Sequence, residues 1–181
     1  ISFMVAPASL TCSEPVFTRL TEFSISPLIS FAACALRLGL PFDKGEEALS
    51  AVQGVKGRAE IVPTGRDFTV VIDYAHTPDG LENICKTMKA CTKGRLITVF
   101  GCGGDRDKGK RPLMGATAAK YADFLVVTSD NPRTEEPGAI IRDILAGLPE
   151  GGAPYEVVEN RIEAIRFALA NAREGDIVLL A

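Results

Sequence analysis

FTVVIDYAHTPDGLENICKTM, residues 68–88, decides the fold class. Phe68–Asp73 is an unbroken apolar run rich in β-branched residues, the signature of a strand buried on both faces. Thr77-Pro78 then opens a helix with proline at its first position, where no backbone donor is needed. Leu81, Ile84, Cys85 and Met88 follow at i, i+3, i+4 and i+7, one apolar helical face. The unit is therefore strand, polar loop, helix.

Downstream the unit recurs. Arg95–Phe100 reads as a second strand and Pro112–Tyr121 as a second helix. Phe124–Thr128 is a third strand, followed by a helix over Pro137–Leu148 with Ile140, Ile141, Ile144 and Leu145 inward. Tyr155–Val158 is a fourth strand. Asn160 caps the next helix, Glu163 completes a capping box, and Ile162, Ile165 and Leu169 are its expected buried residues. Ile177–Leu180 is a fifth strand. Five strands alternating with four helices predict an α/β domain over residues 67–181, its mostly parallel sheet joined by right-handed crossovers.

Upstream, Pro27 opens an expected helix carrying Leu28, Ile29, Phe31, Ala32, Ala35 and Leu36 on its buried face and stopping at Gly39 and Pro41. Asp43 and Glu46 form a capping-box variant ahead of a short helix. The polar, glycine-rich stretch 53–66 reads as a linker with a short strand at Ala59–Val62, and the domain boundary is placed there. The absence of an initiating Met and the apolar strand at the very end suggest a piece of a longer protein.

The 181 residues carry a net charge of −3 and are 46% hydrophobic. That is an ordinary globular balance with no global basic field to attract nucleic acid. No apolar run approaches the roughly 20 residues of a membrane span, and the amino-terminal stretch lacks a signal-peptide pattern. The cysteines (Cys12, Cys34, Cys85, Cys91 and Cys102) are odd in number and show no C-x-x-C pair, as in a reduced, cytoplasmic protein. Cys34 and Cys85 are expected in buried packing. Cys102, among glycines and without a general base, is expected to be a spectator.

The chemistry concentrates in the loops after the first three strands, the edge where such sheets bind ligands. They are Asp73–Asp79, Gly101–Arg111 and Ser129–Thr134. In the second, three glycines let the backbone approach a ligand, and Arg106, Lys108, Lys110 and Arg111 precede or open a helix, an arrangement suited to a carboxylate or phosphate. It is not a Walker loop, and G-x-G-G-D-R departs from the dinucleotide fingerprint at the last glycine. That departure weighs against a nicotinamide-binding module. In the third loop Asp130 and Arg133 flank a rigid Pro132, able to read the ammonium and carboxylate of an amino acid. An internal Asp–Arg ion pair is the alternative. His76, the only histidine, lies beside Asp73 with no nucleophile nearby, so no triad is read and no metal cluster is formed. The opposite loops, 92–94, 122–123 and 173–176, read as short and generic.

Taken together, V-K-G-R-A-E (Val55–Glu60), D-Y-A-H-T-P-D-G-L (Asp73–Leu81), F-G-C-G-G-D-R-D-K-G-K-R-P-L-M (Phe100–Met114) and D-N-P-R-T-E-E-P (Asp130–Pro137) resemble the Mur ligase family over nearly all of residues 28–181. D-N-P-R resembles the members that add meso-diaminopimelate rather than lysine. The resemblance implies a Rossmann-like carboxyl-terminal domain, residues 59–181, that binds the amino acid. Residues 1–58 would then be a helical remnant of the central ATP-binding domain. It also implies ATP-dependent amide formation between UDP-MurNAc-L-Ala-D-Glu and meso-diaminopimelate through an acyl phosphate. Arg106, Asp130, Asn131, Pro132 and Arg133 would hold the diamino acid, while Arg58, Asp73 and His76 would face ATP. No catalytic residue falls within the stretch, and Mg²⁺ ligands are expected mainly outside it. The family's F-N-x-x-N pattern is replaced by Phe23-Ser24-Ile25-Ser26-Pro27, and G-K-G-H-E is absent after Ala181. Turnover by this stretch alone is not expected.

Overall fold

A computed structural model describes residues 33–35, 37–41, 44 and 55–181, which fall into two compact units, 1–55 and 56–181. In the first unit a helix ends after Arg37. The Leu40 amide donates to Ala35 O across Gly39, whose φ of +74° is the left-handed cap that only glycine adopts without penalty. Cys34, expected to be buried, is exposed there. The Asp43–Glu46 capping box and the Phe23–Pro27 departure lie outside the described residues.

The second unit contains β1 (Glu60–Val62), β2 (Thr69–Ile72), α1 (Pro78–Cys91), β3 (Leu96–Phe100), α2 (Lys110–Tyr121), β4 (Phe124–Val127), α3 (Pro137–Leu145), β5 (Tyr155–Val157), α4 (Arg161–Asn171) and β6 (Ile177–Leu180). The sheet order is β1-β2-β6-β3-β4-β5, with β1 antiparallel to β2 and every other pair parallel. The final strand thus sits in the middle, pairing Thr69–Ile72 on one side and Leu96–Val99 on the other.

After β5 the chain steps back across the sheet to β6, and this reversal of strand order distributes the helices. The first three crossovers run one way, and α1 packs on α2 and α2 on α3. The return crossover places α4 on the opposite face, as a common crossover hand requires. The alternation of β3 shows both layers. Ile97 and Val99 join Ala164 and Ala168 of α4 in one cluster, whereas the Thr98 hydroxyl meets Cys85 of α1 at 4.0 Å. All five β3 residues are buried, and burial of each large side chain contributes about 1.5–3 kcal/mol. β5 exposes all three of its residues and is held by its backbone pairing with β4.

Local rules account for most boundaries. Thr77 caps α1, its hydroxyl accepting from Gly80 N, with Pro78 next as expected. Helix α2 begins at Lys110, two residues before the expected Pro112, and α3 ends at Leu145 rather than Leu148. Asn160 caps α4 through Ile162 N and Glu163 N. The box is not completed, because the Glu163 carboxylate pairs instead with Arg166. The buried face of α4 also differs from expectation. Ala164 and Ala168 are buried, Ile165 and Leu169 are half-buried and Ile162 is exposed. Small side chains let this helix lie close to the sheet, and the larger ones flank the contact.

The amino-end loops, read as generic, are stapled. Asp176, 3% exposed, accepts from Arg95 N at 2.7 Å, Arg95 Nη2 at 2.7 Å and Arg173 N at 2.9 Å. Burial alone would raise its carboxyl, but the bonds from Arg95 and Arg173 outweigh that and hold it below the ordinary value. This carboxylate joins the starts of β3 and β6. Asp176→Ala is expected to lower the unfolding free energy by about 2–4 kcal/mol, because two backbone donors and a guanidinium lose their acceptor. Urea denaturation measures it, and a loss under about 1 kcal/mol would show that the staple is incidental.

Candidate functional site at the carboxyl edge of the sheet

Parallel pairing places the carboxyl ends of β2, β6, β3 and β4 on one edge, and with them the three polar loops. The antiparallel β1 adds what a parallel strand could not. Its register sets Glu60 opposite Ile72, so the residues entering β1 meet those leaving β2. Arg58 therefore reaches the loop edge, with its guanidinium 5.1 Å from the centre of the Tyr74 ring. Tyr74 in turn lies 5.0 Å from the His76 ring.

Asp73, expected to face a ligand, is in part a structural anchor. Its Oδ2 accepts from Ala59 N at 2.8 Å and thereby holds Ala59 at a left-handed φ of +48°. His76 is exposed, and its Nδ1 donates to Tyr74 O at 3.0 Å, leaving Nε2 without a hydrogen bond among the described residues. Lys110, the first residue of α2, donates from Nζ to His76 O at 2.8 Å. The first loop thus gathers Arg58, Tyr74, His76 and Lys110; the sequence reading left out Tyr74 and did not link Lys110 to this loop.

The second and third loops are interlocked. Gly104 N donates to Asn131 O at 2.8 Å, and the Arg133 guanidinium donates back to Gly104 O. Asp105 N donates to Glu135 Oε1 at 2.6 Å, while the Asp105 carboxylate accepts from Thr134 Oγ1 at 2.7 Å and Thr134 N at 3.2 Å. Asp105 and Arg133 both have positive φ, +52° and +51°. Such conformations cost about 1–3 kcal/mol each and persist where neighbours over-determine them. Two of the glycines serve this closeness. A Cβ on Gly104 would run into the Pro132 carbonyl, and one on Gly101 into Thr128 O. A Cβ on Gly103 would lie 3.0 Å from Arg133 Nη1 and 3.9 Å from Asp130 Oδ2, so that glycine borders both charged groups.

One expectation is overturned. Arg111, read as part of a free basic loop, is 0% exposed. It is answered by Glu135 at 2.7 Å and 3.0 Å and by Asp143 at 2.8 Å, because a buried cation survives only when paired. Lys108 approaches the same Glu135 at 3.2 Å. The pairing with Arg111, helped by Asp105 N, holds the Glu135 carboxyl down to about 2. No pattern in a single sequence joins Arg111 to acids twenty-four and thirty-two residues away.

What is left uncommitted is informative. Arg106 is exposed and makes no ion pair among the described residues. The Asp130 carboxylate likewise takes no hydrogen bond among them; Arg133 reaches Gly104 O rather than closing an internal pair with it. Asn131 uses Oδ1 for Arg133 N at 3.4 Å, which leaves its amide donors outward. The structure thus brings Asp130, Asn131 and Arg133 around Gly103, with Arg106 next to the interlocked Asp105. Arg58, Asp73 and His76 form a separate group on the first loop. Cys102 is 3% exposed against Met114, and burial pushes its thiol up to about 11, so it holds no thiolate near neutrality. Among the described residues no cluster of His, Cys, Asp or Glu suits a metal, and no helix is long and apolar enough to cross a membrane.

Two outcomes test the interlock. Gly104→Ala is expected to cost about 1–3 kcal/mol, since the added methyl must push the second loop off Pro132. Amide exchange at Gly104 and Asp105 should speed up with it, and unchanged exchange would count against the interlock. The Glu135 carboxyl lies lower folded than its ordinary 4.5. Its stabilisation is therefore complete above about pH 5 and fades as pH falls toward about 2. Across that window Arg111 and Lys108, the cations facing it, stay charged. Glu135→Gln should flatten the acid limb of stability between about pH 5 and pH 3, and an unaltered limb would assign the acid loss elsewhere.

The family described as "Mur ligase, glutamate ligase domain" matches residues 57–181. The UDP-N-acetylmuramoyl-L-alanyl-D-glutamate–2,6-diaminopimelate ligase of Caldanaerobacter subterraneus subsp. tengcongensis is 55% identical over 159 residues, 88% of this chain and 33% of the relative. The protein of that name from Clostridioides difficile is 48% identical over 158 residues, 87% of this chain and 33% of the relative. A solved structure of a UDP-N-acetylmuramoyl-L-alanyl-D-glutamate–2,6-diaminopimelate ligase matches with a TM-score of 0.66 and 39% identity, over 88% of this chain and 32% of that one. The UDP-N-acetylmuramate–alanine ligase of Thermotoga maritima matches with a TM-score of 0.61 at 25% identity, over 82% and 31%. The chain spans about one third of the length of the curated relatives it matches. With most of its residues inside the family's domain and its sheet shared with the solved relatives, this chain belongs to the Mur ligase family.

Proposed function

We propose that this chain supplies the amino-acid-binding part of an ATP-dependent ligase that adds meso-diaminopimelate to UDP-MurNAc-L-Ala-D-Glu in cytoplasmic peptidoglycan synthesis. Residues 59–181 form the amino-acid-binding domain, and residues 1–58 are the end of the central ATP-binding domain. The observation that carries this reading is the group around Gly103: an unbonded Asp130 carboxylate and the Arg133 guanidinium border one glycine, with Arg106 uncommitted in the adjoining loop. A carboxylate and a guanidinium held apart by a rigid turn match a zwitterion, and a second guanidinium matches an additional carboxylate. The relatives named as diaminopimelate ligases support the same substrate.

In the reaction ATP transfers its γ-phosphoryl group to the D-Glu carboxylate, giving an acyl phosphate and ADP. A neutral amine of the diamino acid attacks the acyl carbon, the carbon–oxygen bond to phosphate breaks, and the amine loses its proton. This chain's contribution is orientation. Asp130 and the Asn131 amide hold the polar end of the amino acid, Pro132 keeps the turn rigid, and Arg133 and Arg106 take a carboxylate. Arg58, Asp73 and His76 face the nucleotide, the ring of His76 offering the Nε2 that Tyr74 O does not engage. Mg²⁺ would accompany ATP, and among the described residues no cluster of His, Cys, Asp or Glu suits it.

In the full-length protein, phosphate release with meso-diaminopimelate is expected to exceed that with lysine in kcat/KM by at least about 100-fold, because lysine brings no second carboxylate to the guanidinium groups of Arg106 and Arg133. A preference for lysine would refute the assignment of the Asp130–Arg133 turn.

A further inference from the structure

We infer that Glu135 is a positioning residue: a latch that fixes the second and third loops against each other and so sets affinity for the diamino acid without touching it. The inference rests on the function proposed above. Its basis is the set of groups that converge on one carboxylate. Glu135 accepts from the amide of Asp105 at 2.6 Å, which holds the residue immediately before Arg106 at its strained positive φ. The same carboxylate takes both arms of the Arg111 fork, at 2.7 Å and 3.0 Å, and Arg111 is fully buried at the start of α2. Glu135 lies two residues beyond Arg133 on the third loop, and Pro132 O accepts from its amide at 3.0 Å, closing the turn that carries Asp130, Asn131 and Arg133.

One side chain therefore ties three things together: the backbone preceding Arg106, the turn holding Asp130 and Arg133, and a buried cation that cannot be left unanswered. Arg106 and the Asp130–Arg133 turn come from loops joined to different strands, and among the described residues no direct contact joins their ligand-facing groups. Their spacing is thus fixed by the interlock. Thr134, through the Asp105 carboxylate, is the second point of the same latch. A displacement of about 1 Å in such a constellation can cost around 100-fold.

The test uses the full-length ligase and phosphate release, with each of the three substrates varied in turn. Glu135→Ala is expected to raise KM for meso-diaminopimelate by about 10- to 100-fold while KM for ATP and for the nucleotide-peptide changes by less than about 3-fold. Glu135→Gln keeps an acceptor for Asp105 N and should recover part of that loss. Thr134→Val leaves the buried cation paired and should raise the same KM by about 3- to 10-fold, the equivalent of one hydrogen bond. Glu136→Gln, which preserves the cap of α3, should leave all three constants unmoved. A role confined to overall stability would instead lower the active fraction and hence kcat for every substrate, with each KM intact. The latch is overturned if folded Glu135→Gln and Thr134→Val keep the parent KM for the diamino acid, or if the three KM values rise together. If the unaltered ligase releases no phosphate with meso-diaminopimelate, the proposed function fails and the latch falls with it, an outcome visible before any variant is compared.

Discussion

A guanidinium removed from water must be answered by carboxylates, and the loop edge of this domain is organised around how Arg111 is answered. The pair with Glu135 joins α2 to the third loop, and the pair with Asp143 joins α2 to α3. Loss of either acid would leave the buried guanidinium with one carboxylate instead of two, so the geometry tolerates little drift. The close approach at Gly104 and the two left-handed residues, Asp105 and Arg133, are affordable only because this framework holds them.

From that framework the edge separates into two neighbourhoods. One is aromatic and basic, with Arg58 over Tyr74 and Tyr74 against His76, brought together because β1 runs opposite to β2. The other is zwitterionic, with Asp130 and Arg133 around Gly103. Lys110 reaches from the helix after the second loop to His76 O and connects them. In the proposed reaction a phosphoryl donor and an amine nucleophile would call for such a division, since each must be held by groups that do not compete for the other.

Much of this was legible in the residues. The unbroken runs Thr69–Ile72 and Leu96–Phe100 could only be buried strands, and Thr77-Pro78 marked the start of α1 to the residue. The D-N-P-R turn and the G-C-G-G-D-R loop were placed at the correct edge because parallel connectivity leaves no other. What stayed illegible has one physical origin: periodicity reports on one element at a time. It could not say that the final strand lies in the middle of the sheet, that Arg111 is buried by acids from two other elements, or that the glycines of the second loop make room for Pro132 and Thr128. Helix α4 misled for the same reason, since its apolar residues cover more of its circumference than the sheet covers, and Ile162 is left exposed.

The central position of β6 also has a consequence for how the chain acquires its structure. Residues 69–72 and 96–99 have no hydrogen-bonded contact with each other and are bridged only by residues 177–180. During synthesis the sheet therefore consists of two parts with open edges until residues 177–180 leave the ribosome. Contacts spanning more than a hundred residues form slowly, and unpaired strand edges invite wrong partners. The apolar strand that joins the two halves of the sheet is thus also the segment whose late pairing leaves strand edges open to aggregation.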